Sequence, residues 1–126
     1  MVKGTRIFVS AFCFLTLSSC EQKSGLDFTV YNGSDVAIDS VVIRTSSKDA
    51  RVVIGKIEPD SNGTNFLDMT NASKVDGDYY VSIVNGSDTY EDHVGYYTNG
   101  FPSDKKIEIW FFPPDSIRYA STPRGD

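Results

Sequence analysis

The sequence predicts an all-β domain built as an antiparallel two-sheet sandwich of about seven strands. From Leu26 onward, no window has the apolar spacing of an amphipathic helix. Short runs of β-branched and aromatic residues recur instead, and clusters of Asn, Asp, Gly and Ser separate them. Within several runs apolar and polar residues alternate, as on a strand with one buried face. The same pattern permits a small closed or half-open β-barrel, which is the alternative fold.

Turn residues separate the predicted strands. The second strand changes the phase of its alternation in the middle, which predicts a β-bulge near Asp39 and Ser40. Asn32-Gly33 predicts a tight turn and Asn85-Gly86 a hairpin, because both residue types accept a positive φ. A further short edge strand is expected at residues 116–120. The main strands are residues 26–31, 36–45, 51–57, 65–69, 79–83, 89–98 and 106–112.

The clearest strand signal is the run in which Tyr79, Val81 and Ile83 alternate with more polar residues. Asp76-Gly77 supplies the turn that starts this strand. The Asp-Gly-x-Tyr start resembles the strand start of immunoglobulin-like and transthyretin-like bacterial sandwiches. The resemblance implies an immunoglobulin-like sandwich in which the Tyr79 hydroxyl bonds to nearby backbone.

The N-terminal segment carries a targeting signal. Two basic residues precede an apolar run at residues 7–17, which is too short to span a bilayer and is typical of a secretory signal. The run ends in Leu17-Ser18-Ser19-Cys20, which resembles the lipobox of bacterial lipoproteins. The resemblance implies that residues 1–19 are cleaved and that Cys20 becomes an acylated N-terminus. An ordinary signal peptide cleaved elsewhere, or an apolar first strand, is the alternative.

On this interpretation residues 1–19 are the lipoprotein signal peptide, and residues 20–25 are the lipidated cysteine and a tether. Residues 26–120 are the β-sandwich domain, and residues 121–126 form a disordered tail. In the lipoproteins that this segment resembles, an aspartate directly after the cysteine often means retention in the inner membrane. Glu21 stands there instead, so we expect an outer-membrane protein held by acyl chains, palmitate among them, on Cys20.

Charge and cysteine content restrict the partners. Without Lys3 and Arg6 of the signal, the chain has 10 basic and 17 acidic residues. Such a surface repels phosphate backbones, so we expect no nucleic-acid partner. Cys13 is lost with the signal and Cys20 is acylated, which leaves the domain without a disulfide. Its stability must therefore come from packing.

His93 is the sole histidine and lies beside Glu91 and Asp92. On a strand, Glu91 and His93 share a face and Asp92 points away. No Gly-x-Ser-x-Gly or equivalent nucleophile motif is present, so a hydrolytic enzyme that uses His93 is the weakest functional hypothesis. One histidine and no free thiol disfavour a transition-metal site, and the acidic turns lack the spacing of an EF-hand loop. We therefore expect no cofactor, no metal and no catalysis.

Two short motifs predict covalent modification. Asp39-Ser40-Val41 and Asp115-Ser116-Ile117 are similar to the Asp-Ser/Thr-apolar acceptor of general O-glycosylation in Bacteroidetes, a phylum rich in small lipoproteins of this kind. The resemblance implies that Ser40 or Ser116 carries a glycan. Ser116 is the better acceptor, because it lies beyond the last main strand.

Aromatic residues supply the remaining functional signal. In the strand at residues 106–112, Trp110 and Phe112 share the face opposite to the apolar core face. Antiparallel neighbours can bring Tyr80 and Tyr97, of the matching parity, onto one sheet face with them. These four residues are the predicted ligand-binding face. The alternative is that both sheets bury them in one thick core.

These observations together predict a lipid-anchored binding or assembly module of the cell envelope without catalytic activity. Its expected contacts are the membrane, through the acyl chains on Cys20, and a protein or glycan partner. The alternative is a structural envelope subunit of the pilus type. Such a subunit would show an edge strand open for pairing and no pocket.

Overall fold

The computed structural model describes residues 24–114 and 116–125, which form two packed β-sheets. The predicted two-sheet sandwich is confirmed. In this part of the chain no helix is long and apolar enough to cross a membrane. The predicted signal and Cys20 lie outside the described residues. The strands are β1 (Gly25–Asn32), β2 (Ile38–Thr45), β3 (Arg51–Ile54), β4 (Asn62–Asp68), β5 (Gly77–Asn85), β6 (Asp88–Thr98), β7 (Phe101–Pro102), β8 (Asp104–Phe112) and β9 (Ser116–Pro123).

The strand order brings the two ends of the domain together. One sheet has the order β4-β1-β8-β9 and the other has the order β3-β2-β5-β6-β7. Every pair is antiparallel except β1 and β8, which run parallel, with Tyr31 beside Trp110. A purely antiparallel arrangement was expected. Alternation of side chains shows which face of a strand is buried but carries no information about the direction of its neighbour.

The core lies between the sheets and is lined by the residues whose alternation predicted it. Phe28 of β1 is fully buried and meets the ring of Tyr79 edge-on, with 5.2 Å between ring centroids. Burying a large apolar side chain contributes about 1.5–3 kcal/mol. The central buried set is Leu26, Phe28, Val30, Ile38, Val41, Ile43, Tyr79, Val81, Ile83, Ile107, Ile109 and Phe111.

The predicted bulge in the second strand is confirmed. The register between β2 and β5 shifts between Ile38 and Ser40. The extra residue lets Ile38 and Val41, which have opposite parity, both point into the core, where both are fully buried. A strand without the bulge would expose one of the two side chains.

The C-terminal tail differs from the prediction. Residues 121–126 were expected to be disordered, yet β9 continues to Pro123, which pairs with Asp104 at the start of β8. The Arg124 guanidinium then donates a hydrogen bond to the Gly25 carbonyl. The polar composition of the tail predicted disorder. The tail is ordered as far as Pro123 because its main chain pairs with the edge of β8.

The role expected for Tyr79 is taken by Tyr97. The Tyr79 hydroxyl lies in the core and bonds to the Met69 sulfur at 3.5 Å, and burial raises its pKa. The Tyr97 hydroxyl instead accepts a hydrogen bond from the Ser47 backbone N–H at 3.3 Å. The prediction for Tyr79 was wrong because its ring points straight between the sheets. Tyr97 enters near the end of the sandwich and reaches the loop between β2 and β3.

Candidate functional site

The four aromatic residues of the predicted binding face do not lie together. Trp110 and Phe112 lie on the outer face of the four-stranded sheet. Tyr80 lies on the outer face of the other sheet, across from His93. Tyr97 is buried in the core and packs against Tyr79, with 5.4 Å between centroids. The prediction of one shared face is therefore wrong for Tyr80 and Tyr97.

A bulge in β6 sends Tyr97 inward. Gly77 pairs with Tyr97 while Tyr79 pairs with Val94, so β6 has one more residue than β5 across this interval. Gly95 within the bulge has a φ of +60°, which favours glycine. The inserted residue reverses the parity of the strand beyond it. Val94 and Tyr97 both point into the core as a result.

We define the aromatic face as Tyr31, Trp110 and Phe112 on the outer surface of the four-stranded sheet. The Tyr31 and Trp110 rings stack with 5.3 Å between centroids and 6° between planes. Trp110 is half-buried, whereas Phe112 is 47% exposed and lies over Gly33, where an added Cβ would meet its ring. The three side chains lie on one sheet face, on two strands that are each paired on both sides.

Polar groups border the aromatic face. The Tyr31 hydroxyl donates to Glu108 Oε2 at 3.0 Å, and Lys106 Nζ lies 3.4 Å from Glu108 Oε1. The hydrogen bond to Glu108, aided by its negative charge, raises the pKa of Tyr31. Arg118 of β9 is in register with Trp110, and Asn62 of β4 is in register with Tyr31. A polar rim around an apolar centre is typical of recognition surfaces.

Sequence reasoning missed Tyr31. It is far from the other aromatic residues along the chain, and only the parallel pairing of β1 with β8 brings it beside Trp110. The alternation along β1 was an available signal. Tyr31 is a bulky residue on the outward side of this strand, and the side chains of the opposite side are buried.

On the outer face of the five-stranded sheet, the aromatic residue Tyr80 is surrounded by charged and polar side chains. The Arg44 guanidinium lies 4.3 Å from the centre of the Tyr80 ring, and His93 meets that ring edge-on at 5.2 Å. The Tyr80 hydroxyl bonds to Glu91, which raises the pKa of Tyr80. His93 Nδ1 in turn lies 3.1 Å from Asp78 Oδ2. Tyr80 is thus occupied by partners from its own sheet.

His93 lies on this open sheet face. Its side chain is 57% exposed, and its near carboxylate is that of Asp78 and not of Glu91. His93 does not line either of the two well-formed clefts of the described residues, one near Ser24 and the other beside Tyr90. In residues 24–114 and 116–125, no three His, Cys, Asp or Glu side chains lie close enough to hold a metal ion.

The described part of the chain contains small clefts, of which two are well formed. The larger, ≈ 150 Å³, lies between β6 and the β8–β9 connection. The smaller, ≈ 40 Å³, lies near Ser24 and Phe101. Pockets for drug-sized ligands usually enclose about 300–1,000 Å³. Residues that line the larger cleft are Tyr90, Glu91, Asp92, Phe111, Pro114, Ser116 and Ile117.

The two predicted glycan acceptors occupy different surfaces. Ser40 lies at the bulge of β2 and is half-buried. Ser116 begins β9 on the rim of the larger cleft and is also half-buried. Asp115, the first residue of its motif, lies outside the described residues, as does Cys20.

Comparison with known proteins shows a likeness in fold. No protein-family model matches the chain. No curated protein matches it either. The chain is similar to a solved structure described as an NMR structure of the protein from Eubacterium rectale, with a TM-score of 0.52 and 9% sequence identity. The match covers 84% of this chain and 95% of that one. At this identity the likeness concerns the β-sandwich fold alone.

Proposed function

We propose that the chain is a lipid-anchored, non-catalytic binding module of the bacterial outer membrane. It engages a protein or glycan partner through the aromatic face. The lipobox-like residues 17–20 support the anchor, and Glu21 supports the outer membrane. The fold supports a binding role, because among the described residues the aromatic face lies on the outer surface of a sheet, where Phe112 remains 47% exposed.

The observation that carries the proposal is the exposure of Phe112 beside the Tyr31–Trp110 stack. Apolar aromatic surface that water contacts is costly to keep, and partner contact removes that cost. Two paired strands hold the rings, so little side-chain entropy is lost on binding. Hydrogen-bonding groups of Glu108 and Arg118 lie at the edge of the rings, where they can orient a partner.

The clefts and His93 favour binding over catalysis. A catalytic histidine needs a reacting group held within hydrogen-bond reach and shielded from water. His93 is exposed on a sheet face and pairs with Asp78. The larger cleft is below the size of usual substrate pockets and is lined by other residues.

The proposed anchor places the domain close to its membrane. β1 begins at Gly25, five residues after Cys20. An extended segment of that length reaches at most about 18 Å. A partner on the aromatic face would therefore be held near the membrane surface.

The partner proposal is tested through the fluorescence of Trp110, the sole tryptophan of the chain. The full chain in detergent micelles is titrated with fractions of soluble oligosaccharides and, separately, with fractions of tryptophan-free peptides, so that all indole emission comes from Trp110. We expect at least one fraction to shift the Trp110 emission saturably. Phe112→Ala should weaken this response, and Tyr80→Ala should leave it intact. Equal loss in both variants, or no response to any fraction, contradicts the proposal.

The anchor is tested by Cys20→Ala. The substitution removes the sulfur that would carry the acyl chains, so the protein should leave the membrane fraction and keep its signal segment. Ser19→Ala, which retains a small residue before the cysteine, is the matched control and should be processed normally. A membrane-bound Cys20→Ala protein of normal processed size would contradict lipidation.

A further inference from the structure

The sandwich is open along one side. In the described residues, β6 pairs with β7 only through Tyr97 and Thr98, which leaves its edge at residues 88–96 without a strand partner. The facing strand β9 is likewise the last strand of its own sheet. An unpaired edge presents main-chain donors and acceptors to any segment that can extend the sheet.

A side-chain hydrogen bond shows which main-chain groups of β6 face this edge. The His93 N–H donates to Asp92 Oδ1 at 2.8 Å, so it is not directed at β5. In an antiparallel pair, alternate residues direct both main-chain groups to the same side. Thr89 and Glu91 have the parity of His93 and therefore point their N–H and C=O groups outward. Asp92 already satisfies the His93 donor, which leaves Thr89 and Glu91 as the free pairing positions.

The larger cleft lies directly beside this edge. Tyr90 and Phe111 form its apolar wall, where their rings meet edge-on with 5.0 Å between centroids. Ile117 of β9 completes that wall. The rest of the lining is polar, with Glu91, Asp92 and Ser116 around the mouth of the cleft. The cleft, of ≈ 150 Å³, has room for one aliphatic side chain from a strand laid along β6, which would contact the apolar wall.

The acidic residues of β6 determine what kind of strand can pair with its edge. Asp88, Glu91 and Asp92 all lie on β6, and the last two line the cleft. A second copy that paired its own β6 here would set these carboxylates against one another, which destabilises cross-strand pairs. A segment with Lys or Arg side chains gains from the same charges.

We propose that the β6 edge accepts an extended segment of a partner protein in which apolar and basic residues alternate. The main chain of that segment pairs with Thr89 and Glu91 and extends the five-stranded sheet. One apolar side chain enters the cleft against Tyr90, Phe111 and Ile117, and the basic side chains, which point to the opposite face of the sheet, meet Glu91. This site is distinct from the aromatic face and goes beyond the proposed function, because it lies on a strand edge of the other sheet.

The test uses a fluorescently labelled short peptide in which lysine and valine alternate, titrated into the full chain in detergent micelles. We expect saturable binding that weakens as salt increases. A peptide with glutamate in place of lysine should not bind. Amide hydrogen exchange at Thr89 and Glu91 should slow on addition of the lysine peptide, which identifies the edge directly.

Two variants separate edge pairing from charge alone. Glu91→Pro removes an outward N–H while keeping the bonds of its neighbours to β5, and it should weaken peptide binding by about tenfold or more. Asp92→Lys reverses a charge at the rim of the cleft and should also weaken binding of a basic segment, whereas Glu58→Lys, the same charge change at an exposed loop residue, should not.

Trp110→Ala should retain peptide binding, because the aromatic face is elsewhere. Asp92→Lys keeps the proposal testable if Glu91→Pro does not fold. Binding that is unchanged in Asp92→Lys, or absent protection at Thr89 and Glu91, would overturn the proposal. A dimer of the chain that the peptide cannot dissociate would instead assign the edge to a second copy and overturn the heterologous partner.

Discussion

The outer faces of the two sheets both carry aromatic residues, but these residues differ in the contacts that their rings make. On the five-stranded sheet, Tyr80 has Arg44 over its ring, His93 at its edge and Glu91 at its hydroxyl. On the four-stranded sheet, Trp110 stacks on Tyr31, and Phe112 on the same face is 47% exposed. The first face is satisfied by its own side chains, and the second leaves aromatic surface for a partner.

The difference comes from the cross-strand neighbours. Tyr80 lies between Arg44 and His93 in adjacent strands, so charged and polar groups reach its ring. Trp110 lies between Tyr31 and Arg118, and Phe112 lies at the end of its strand over a glycine. Register, more than residue type, therefore determines which aromatic residues are free to bind.

The largest expected effect is on the free energy of unfolding, and it distinguishes Phe111 on the inner face of β8 from Phe112 on the outer face. Phe111 is 1% exposed, so Phe111→Ala should reduce the free energy of unfolding by about 3–5 kcal/mol. Phe112→Ala also removes a phenyl ring, but from the aromatic face, and should reduce the free energy of unfolding by less than about 1 kcal/mol. Urea unfolding of both variants measures the two losses. Similar losses would mean that Phe112 serves the core and not a partner.

A smaller effect tests the bulge that moves Tyr97 off the outer face. Gly95→Ala places a Cβ on a residue with a φ of +60° and sets it 2.6 Å from the Ile107 Cδ1 atom. We expect a loss of about 1–2 kcal/mol in the free energy of unfolding. Gly55→Ala meets no atom within 4 Å and should change stability by less than about 0.5 kcal/mol. Equal stability of the two variants would contradict the role given to Gly95.

The smallest effect compares the two hydrogen-bonded tyrosines by pH titration. The bond to Glu108 raises the pKa of Tyr31, and the bond to Glu91 raises that of Tyr80. A raised folded-state pKa means that the protonated hydroxyl stabilises the fold. That contribution is fully present below the ordinary tyrosine pKa of about 10 and is lost as pH rises through the folded value.

Glu108→Ala should therefore lower the pKa of Tyr31 alone, and Glu91→Ala should lower that of Tyr80 alone. Ring-proton chemical shifts followed by NMR against pH distinguish the two residues. Unchanged pKa values in both variants would show that neither carboxylate accepts the bond in solution.

Much of the sandwich could be predicted from local pattern. Alternation identified the buried faces of β1, β5 and β8, and the phase change at Asp39-Ser40 located the bulge of β2. These features depend on residues close in sequence, because a strand exposes its two parities to different surroundings. The end of β9 was missed because a polar tail gains its order from β8 and not from its own residues.

The candidate site could be predicted only in part. Alternation along the strand correctly predicted that Trp110 and Phe112 lie outside the core. The same argument wrongly predicted that Tyr80 and Tyr97 share their face. Which strands are neighbours depends on contacts between residues far apart in the chain, as between Tyr31 and Trp110. The parity of Tyr97 changed through a bulge that only the pairing of β5 with β6 reveals. The free edge of β6 likewise depends on strand order.

Quenching of Trp110 fluorescence tests the central claim most directly. Because Trp110 is the sole tryptophan, all indole emission reports on the aromatic face. A neutral aqueous quencher should reduce this emission in the isolated protein, and Tyr31→Ala should increase the quenching by uncovering one face of the indole. Tyr80→Ala should leave it unchanged. A blue-shifted emission that resists the quencher in the wild-type protein would show that Trp110 is shielded, and would contradict a binding surface at the aromatic face.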